Sequence, residues 1–566
     1  MTSRFRPLIA SLLPLAALTF APGCADSGAE PRGLVVSTAA LAPCVPNENG
    51  DFRFPSNADR VVVRATGGRI PAESPIIGVF ASNGANGPEQ ALLEEVPAGQ
   101  GVLIEVVACQ GPTATWGGLT RGVEVLAANR NTAEVFLTPV NASACIGGKG
   151  VAEDDRQMNS GHAFAAAAAD GEAAYALGGF GAYNLASLEL RATPNVDKYS
   201  RVQSRFDALS PLQEPRAMAA AQMVASDGTI RVIGGVRAVT LVLKGDRPPL
   251  FPSPDSAPSV GVEVYDPISG TPLPGPDSPL PALPALGAAP DGTVIAAGGI
   301  QGTDTYAAGV TVFGVDGTIK SFGMPSGRYG AVVLATEDGH ALVYGGASSG
   351  DPTTAAFWLD LTTSTATALT DAAVGGMPFM PAGLYMGKGA DGWRFVIIGG
   401  SDIKDGAGGT EFTAGAATAR AVLVTVDPSG GSMTTRDLLA TGGLNKELFR
   451  RLAPTLVDLG DLGLVLAGGL TSLTSDPACP EASDCLPQTI ARLALDTDGG
   501  ELALVGTPSV ASVAAFGGGL LDLGDGSWLL AGGIETLAAA ARAIDLDASL
   551  LRFGVVDPGM CEVVAP

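Results

Sequence analysis

Apolar and polar positions in this chain fall into short runs, not into long helical stripes. One unit recurs: a turn dipeptide, a short apolar run and a glycine pair, as in DGTIRVIGG at 227–235. Aligned on the glycine pair, seven copies end at Gly179, Gly235, Gly299, Gly346, Gly400, Gly469 and Gly533. Spacings of 47 to 69 residues between them suit one four-stranded sheet per copy. Upstream of the turn lie small apolar runs such as AFAAAAA, AMAAAQMVA and YGAVVLA. An Asp-Gly turn between two such runs predicts a hairpin of strands one and two. A third strand is read from VEVYDP, VTVFGVDG, AAFWLDLTT, VLVTVDPSGG, IARLALDTDGG and ARAIDLDASL, and a fourth from runs such as TIKSFG and ELALVG. Such a sheet cannot bury both faces alone, so the copies must pack on one another around a ring. The first copy opens on its first strand and the last closes on its fourth, which predicts no strand exchanged between the chain ends.

Composition agrees with an all-β chain. Gly 77 and Pro 41, with 46% hydrophobic and only 16% charged residues, describe many short strands punctuated by turns. Aromatics are 5%, so the core is built mainly from Ala, Val, Leu and Ile. A net charge of -24 argues against nucleic acid as a partner, because phosphate neutralisation needs clustered Lys and Arg.

The apolar run closing on a glycine pair, VEVYDP at Val262 to Pro267, and an arginine leading into strand one (Arg216 in EPRAMAA, Arg328 in SGRYGAV) resemble the kelch repeat family. The resemblance covers roughly residues 150 to 566 and implies a β-propeller. The family's strand-four tryptophan is missing nearly throughout, and its tyrosine after strand three is clear at Tyr265. Spacing favours seven blades, with six or eight as the alternatives. The expected fold is therefore all-β, a seven-bladed kelch-like propeller over 143–566 preceded by a small β-sandwich.

That sandwich is expected over 35–142, where RVVVRATG, IIGVFAS, GVLIEVVACQG, RGVEVLAA and AEVFLTPV are spaced like strands of an antiparallel module. The segment resembles an immunoglobulin-like or transthyretin-like module, whose usual role in exported proteins is that of a spacer. Residues 1–24 read as a signal peptide: Arg4 and Arg6 precede the apolar run LIASLLPLAALTF, which is too short for a bilayer span. APGC resembles a bacterial lipoprotein signal with Cys24 as the lipidated residue, and cleavage after Ala25 is the alternative. Residues 25–34 are then a tether. The protein is expected at the outer membrane or cell surface as a lipoprotein, or else periplasmic or secreted, and to touch a membrane only through that lipid.

Six cysteines follow Cys24: Cys44, Cys109, Cys145, Cys479, Cys485 and Cys561. An even number in an exported chain suggests three disulfides. Cys479 and Cys485 can staple one loop, Cys44 and Cys109 the two sheets of the sandwich. Cys145 and Cys561 flank the repeats, and a bond between them would close the ring. The alternative is that Cys145 pairs within the N-terminal module.

Chemistry is constrained by there being only two histidines, His162 and His340. The first is read as beginning a strand one and the second as following the Asp338-Gly339 turn where a strand one ends, so they are expected on opposite rims, sharing neither a metal nor a triad. The galactose oxidase type of copper enzyme resembles this chain in fold, but its two His, Tyr and Cys-linked Tyr have no counterparts here. No GxSxG, Walker or Asp-box signature is evident. A pair of carboxylates assembled by folding leaves no local motif and stays open. The reading at this point is no enzyme, no catalytic residue, no metal and no cofactor.

Binding is expected instead on the loops between strands two and three. Those after Gly235, Gly400 and Gly469 are the longest, and they share one rim. They carry Arg237, Lys244, Arg247, Asp402, Lys404, Asp405 and Glu411 as candidate ligand contacts, with Phe251 and Phe412 as apolar surface. DIKDGAGGTE could hold calcium through Asp402, Asp405 and Glu411, but it lacks EF-hand alternation and reads better as a solvated loop. The expected function is non-catalytic recognition of a protein or polysaccharide ligand by a monomer. The alternatives are a secreted carbohydrate-active hydrolase or lyase using acids of the same rim, or a structural envelope component.

Overall fold

A computed structural model describes residues 33–562, apart from 41–57, 72–73, 83–89, 127–130, 140–143, 146–157, 159–160, 171–172, 185, 188, 201–204, 225–226, 241–260, 274, 276–278, 303–304, 349–355, 370–377, 406–411, 428, 441–442, 459–462, 472–488, 497–500, 506–508, 511–516, 523–526, 539–542 and 555–557. The fold is β-propeller-like and nearly all β. Among the described residues seven antiparallel sheets follow one another along the chain, six of four strands and the sixth of five, with Ser509–Val510 as its extra strand. Their first strands are Ala166–Ala169, Ala220–Val224, Ala285–Ala288, Arg328–Ala335, Ala382–Gly389, Thr455–Asp458 and Gly519–Asp522. These first strands touch in cyclic succession, and that of the seventh sheet packs on that of the first. Second strands are the most deeply buried: Ala173–Leu177, Val294–Ala297 and Leu464–Ala467 are buried at every residue. Both faces of each are covered by neighbouring sheets, so the sequence there is continuously apolar instead of alternating.

The glycine pairs sit where adjacent sheets meet. A Cβ on Gly178, Gly298 or Gly399 would lie 2.2 Å from the carbonyl oxygen of Arg216, Arg328 or Arg451 respectively, in the next sheet. The second glycine of each pair donates its N–H to that same carbonyl at 2.7 Å. Both glycines also hold positive φ. At these three pairs the motif is a sheet-to-sheet junction that no side chain can enter, whereas a Cβ on Gly234 would meet nothing closer than 3.6 Å.

A second repeated feature lies just before each first strand, or in the fourth sheet within its first residues. Phe164, Met218, Leu283, Gly330, Met380, Ala453 and Gly517, one per sheet, all adopt left-handed φ between 45° and 72°. Neighbours are linked by backbone bonds: Phe164 N–H to Gly517 O, Met218 to Phe164, Met380 to Gly330 and Ala453 to Met380, at 2.6–2.8 Å. Five of the seven are not glycine, so the bonds around the ring offset a conformation that L-residues disfavour by about 1 kcal/mol or more. Glycine stands at the other two, where the ring of Phe379 or Phe164 fills the space a Cβ would need.

The seventh sheet departs from expectation. ARAIDLDASL and the following LRFG form one strand, Ala543–Gly554, hairpinned on Ser527–Ala538. No Asp-Pro or Asp-Gly turn separates the two runs, so the strand continues. The missing fourth strand is supplied by Ala144–Cys145, with Leu551 opposite Cys145 and Arg552 opposite Ala144. Chain ends are therefore shared in one sheet, contrary to the sequence reading.

The N-terminal sheet has seven strands, in the order Ile76–Ala81, Arg60–Gly67, Gly99–Gln110, Thr113–Val125, Asn131–Pro139, Leu34–Ala40, Gln90–Leu93. It folds over one apolar core that includes Leu34, Val61, Val63, Ile104, Val106, Val135 and Leu137. Cys109, on its third strand in that order, forms a disulfide with Cys561, 452 residues away. This corrects both proposed pairings: Cys109 does not bond Cys44, nor Cys561 Cys145. The chain end, Pro558–Cys561, docks on the outer face of the N-terminal sheet, which brings the two sulfurs together. Cys44, Cys479 and Cys485 lie outside the described residues, as do Cys24 and the signal segment. Among the described residues no helix is long and apolar enough to cross a membrane.

Candidate functional site

Connections between strands two and three leave the same face of every sheet, and on this face they build extra structure. Phe180–Asn184 and Glu189–Ala192, from the first sheet's connection, join Ala238–Thr240 from the second's in one three-stranded sheet. Ser401–Asp405 and Phe412–Ala417, from the fifth sheet's connection, form another with Pro378–Phe379 from the link that enters that sheet, and Ile300–Gly302 with Thr305–Tyr306 a hairpin. The first sheet's connection was not among the long loops singled out from sequence, because its strands are short and mixed in character.

Beneath these insertions lies an apolar cluster drawn from all around the ring. It contains Phe180, Leu190, Val239, Ile300, Tyr329, Phe379, Leu452 and Ile534, with Phe164, Tyr183, Met218, Tyr306 and Met380 half-buried against it. Tyr329 stacks obliquely on Tyr306 at 5.8 Å and edge-on to Phe379 at 5.4 Å. Burial raises the Tyr329 phenol far above its usual range. Positions following the glycine pair, Phe180, Val236, Ile300 and Leu470, bridge the residue before the left-handed one. Ser401 takes this place opposite Phe379 and is polar; its buried hydroxyl makes no hydrogen bond among the described residues.

Of the candidate contacts, Arg237 is half-exposed on this face and paired with Glu214 at 2.7 Å. Glu189 pairs with Arg191 at 3.0 Å on the same three-stranded sheet. Asp402, Lys404 and Asp405 lie on the insertion strand Ser401–Asp405, with Lys404 opposite Thr413 and Asp405 opposite Phe412. Lys244, Arg247, Phe251 and Glu411 lie outside the described residues. Glu214 and Glu189 were missed by sequence reasoning, since an isolated acid in a linker or a short strand carries no local signal.

Buried basic residues on the ring are framework. Arg216 donates to the carbonyls of Val232, Gly234 and Gly261 at 3.2–3.4 Å and to Glu263 Oε2 at 3.0 Å. Arg451 donates to Gly468 O and to Thr489 O at 2.9 Å each, and burial pulls its guanidinium down to about 10. His162 occupies the same position in the first sheet: Nδ1 donates to Gly178 O, and Nε2 to Asp197 Oδ2 at 2.7 Å. Tyr199 likewise matches Tyr265 on the third strand, and both are fully buried. The lead-in arginine seen at Arg216 and Arg328 thus extends to Arg451 and His162, which sequence reading passed over.

His340 lies at the other face, where strand-one turns emerge. Its ring stacks on Trp358 at 5.2 Å, and its Nδ1 donates to Asp338 at 3.0 Å. Asp338 also accepts from Thr336 Oγ1, Lys388 Nζ and Trp393 Nε1. Burial works against ionisation of this carboxyl, but the four donors together outweigh it and hold it well below the usual carboxylate range. Lys388 caps the Trp393 ring at 3.9 Å, and both tryptophans are buried between the fourth and fifth sheets. This network seals a seam between sheets and leaves no open aromatic face.

The copper of the galactose oxidase type does not fit these residues. Both His162 nitrogens are committed to protein acceptors in a fully buried side chain, and His340 is on the opposite face. Among the described residues no group of three or more His, Cys, Asp and Glu is arranged to hold a metal.

No family model matches the chain, and no curated protein matches it. Many solved structures are similar, among them the following two. One, described as the structure of YjhT, is 14% identical with a TM-score of 0.38, over 62% of this chain and 99% of that one. The other is a novel fungal alcohol oxidase of the AA5 family in complex with copper, 15% identical with a TM-score of 0.47, over 70% of this chain and 75% of that one. The expectation of a non-enzyme is corrected by this comparison: an oxidase stands among the structures similar to this chain.

Proposed function

We propose that the protein is an exported, lipid-anchored, seven-bladed kelch-like propeller that works as a carbohydrate-active hydrolase or lyase on the face carrying the strand-two-to-three insertions. The observation that carries this is that one face holds an apolar cluster with several aromatic members and, paired through Ser401 with its Phe379, the insertion strand Ser401–Asp405, whose sequence includes Asp402 and Asp405. Sugar rings present C–H faces that pack on aromatic side chains, and glycosidic cleavage needs a pair of carboxyl groups, one acid and one base or nucleophile. Asp402, Asp405 and Glu411 are the candidates for that pair. Arg237, Lys244, Arg247 and Lys404 are candidates for orienting substrate hydroxyl or carboxylate groups.

The test is release of reducing or unsaturated ends from a panel of neutral and acidic polysaccharides by the mature protein, beside Asp402→Asn, Asp405→Asn and Glu411→Gln. At least one variant should lose about 100-fold or more in turnover with an unchanged melting temperature. Cleavage of nothing on the panel, or full activity in all three variants, would overturn the reading.

A further inference from the structure

Among the described residues, the strand that completes the seventh sheet from the other end of the chain has only two residues, Ala144–Cys145. The outermost strands of the other six sheets have three to five residues, whereas Ala144–Cys145 pairs with a partner strand of 12. Among the described residues this is the shortest of the outermost strands.

Both sides of the joint are nonetheless tied to the N-terminal sheet. On one side, four residues separate Pro139, the end of an N-terminal strand, from Ala144. On the other, the chain leaving the seventh sheet at Gly554 reaches Cys561, which is bonded to Cys109. Around that bond Met560 packs with Val62, Val107 and Ala114, and Arg60 Nη2 donates to Cys561 O at 2.8 Å and to Gly111 O at 2.9 Å. The last sheet's third strand also packs against the N-terminal strands Thr113–Val125 and Asn131–Pro139.

We infer that the N-terminal sheet is a thiol-operated clasp on the propeller, not a passive spacer. With the disulfide intact, the closing strand and its partner are held on one rigid body, so separation is an intramolecular event that immediately reverses. A dithiol reductant cuts the bond: two electrons and two protons pass to Cys109 and Cys561, giving two thiols, while the reductant becomes a disulfide. Closure then rests on non-covalent contacts alone, namely the pairing of Ala144–Cys145, the packing of the seventh sheet on the first and on the N-terminal strands, and the Phe164–Gly517 backbone bond, and the seventh sheet opens locally more often.

Hydrogen exchange followed by mass spectrometry tests this on the full mature protein, oxidised and dithiol-reduced, beside Cys109→Ser/Cys561→Ser with every other cysteine retained. Reduction should accelerate exchange about 100-fold in residues 144–145 and 527–554, leaving the second to fifth sheets as they were. The double variant should exchange like the reduced protein without reductant. A double variant protected like the oxidised protein would overturn the clasp and assign any effect of reductant to other cysteines. Acceleration spread equally over all seven sheets, or none, would overturn it as well.

Discussion

Arg216 and Glu263 offer the sharpest test of the claim that basic residues on the ring are framework. The Arg216 side chain is 2% exposed and that of Glu263 4%. Replacing Arg216 with Met removes four hydrogen bonds, three to carbonyls and one to Glu263, and leaves a carboxylate buried without its cation. Burial already pulls the guanidinium below its normal range against the attraction of Glu263, so the pair contributes through mutual satisfaction more than through net charge stabilisation. Breaking a buried pair by removing one partner costs about 3–5 kcal/mol, whereas replacing both with apolar groups costs far less. Arg216→Met alone should therefore lower stability by about 3–5 kcal/mol. Glu263→Leu alone should cost about 3 kcal/mol, and the double variant less than the sum by about 2 kcal/mol or more. Urea titration followed by circular dichroism, with the four proteins forming a double-mutant cycle, measures all of these. Single losses under about 1 kcal/mol that simply add would refute the framework assignment.

Other consequences follow from the same structure. Gly298→Ala places a methyl 2.2 Å from Arg328 O at a φ of +69°, and should cost at least about 2 kcal/mol; Gly317→Ala, at φ +83° with nothing within 4 Å, should cost only about 1 kcal/mol in the same titration. Asp338 has a folded-state pKa below its unfolded value, so its contribution is fully present above about pH 4 and is lost as pH falls through the folded value. Asp338→Asn should accordingly flatten the acid limb of a stability profile below about pH 4, and an unchanged limb would remove the network from the account. The disulfide closes a loop of 452 residues, for which loop entropy sets a ceiling of about 6 kcal/mol. Cys109→Ser/Cys561→Ser should lower stability by about 2–5 kcal/mol, less than the ceiling because an unfolded chain that retains some structure gains less freedom when the loop is opened; a loss under about 1 kcal/mol would count against it.

Much of the architecture was legible because the repeat is local. A turn dipeptide, a buried apolar run and a glycine pair specify a hairpin and a close backbone junction within about ten residues, and that signal recurs seven times. The candidate face was legible for a similar reason, since strand alternation decides from which end of a sheet each connection leaves. His162 was less so: as a lone histidine it gives no hint that it replaces an arginine, and only its superposition on the Arg216 position shows it.

By itself, then, the sequence determined the repeating unit and the all-β class, and its spacing favoured seven copies over six or eight. Tertiary structure alone decided what lies far apart in the chain: the two residues that complete the seventh sheet, the Cys109–Cys561 bond, the ring of left-handed residues and the four donors on Asp338. These depend on which surfaces meet once seven sheets have packed in a circle. A two-residue strand or a single cysteine carries no periodicity from which its partner, several hundred residues away, could be read.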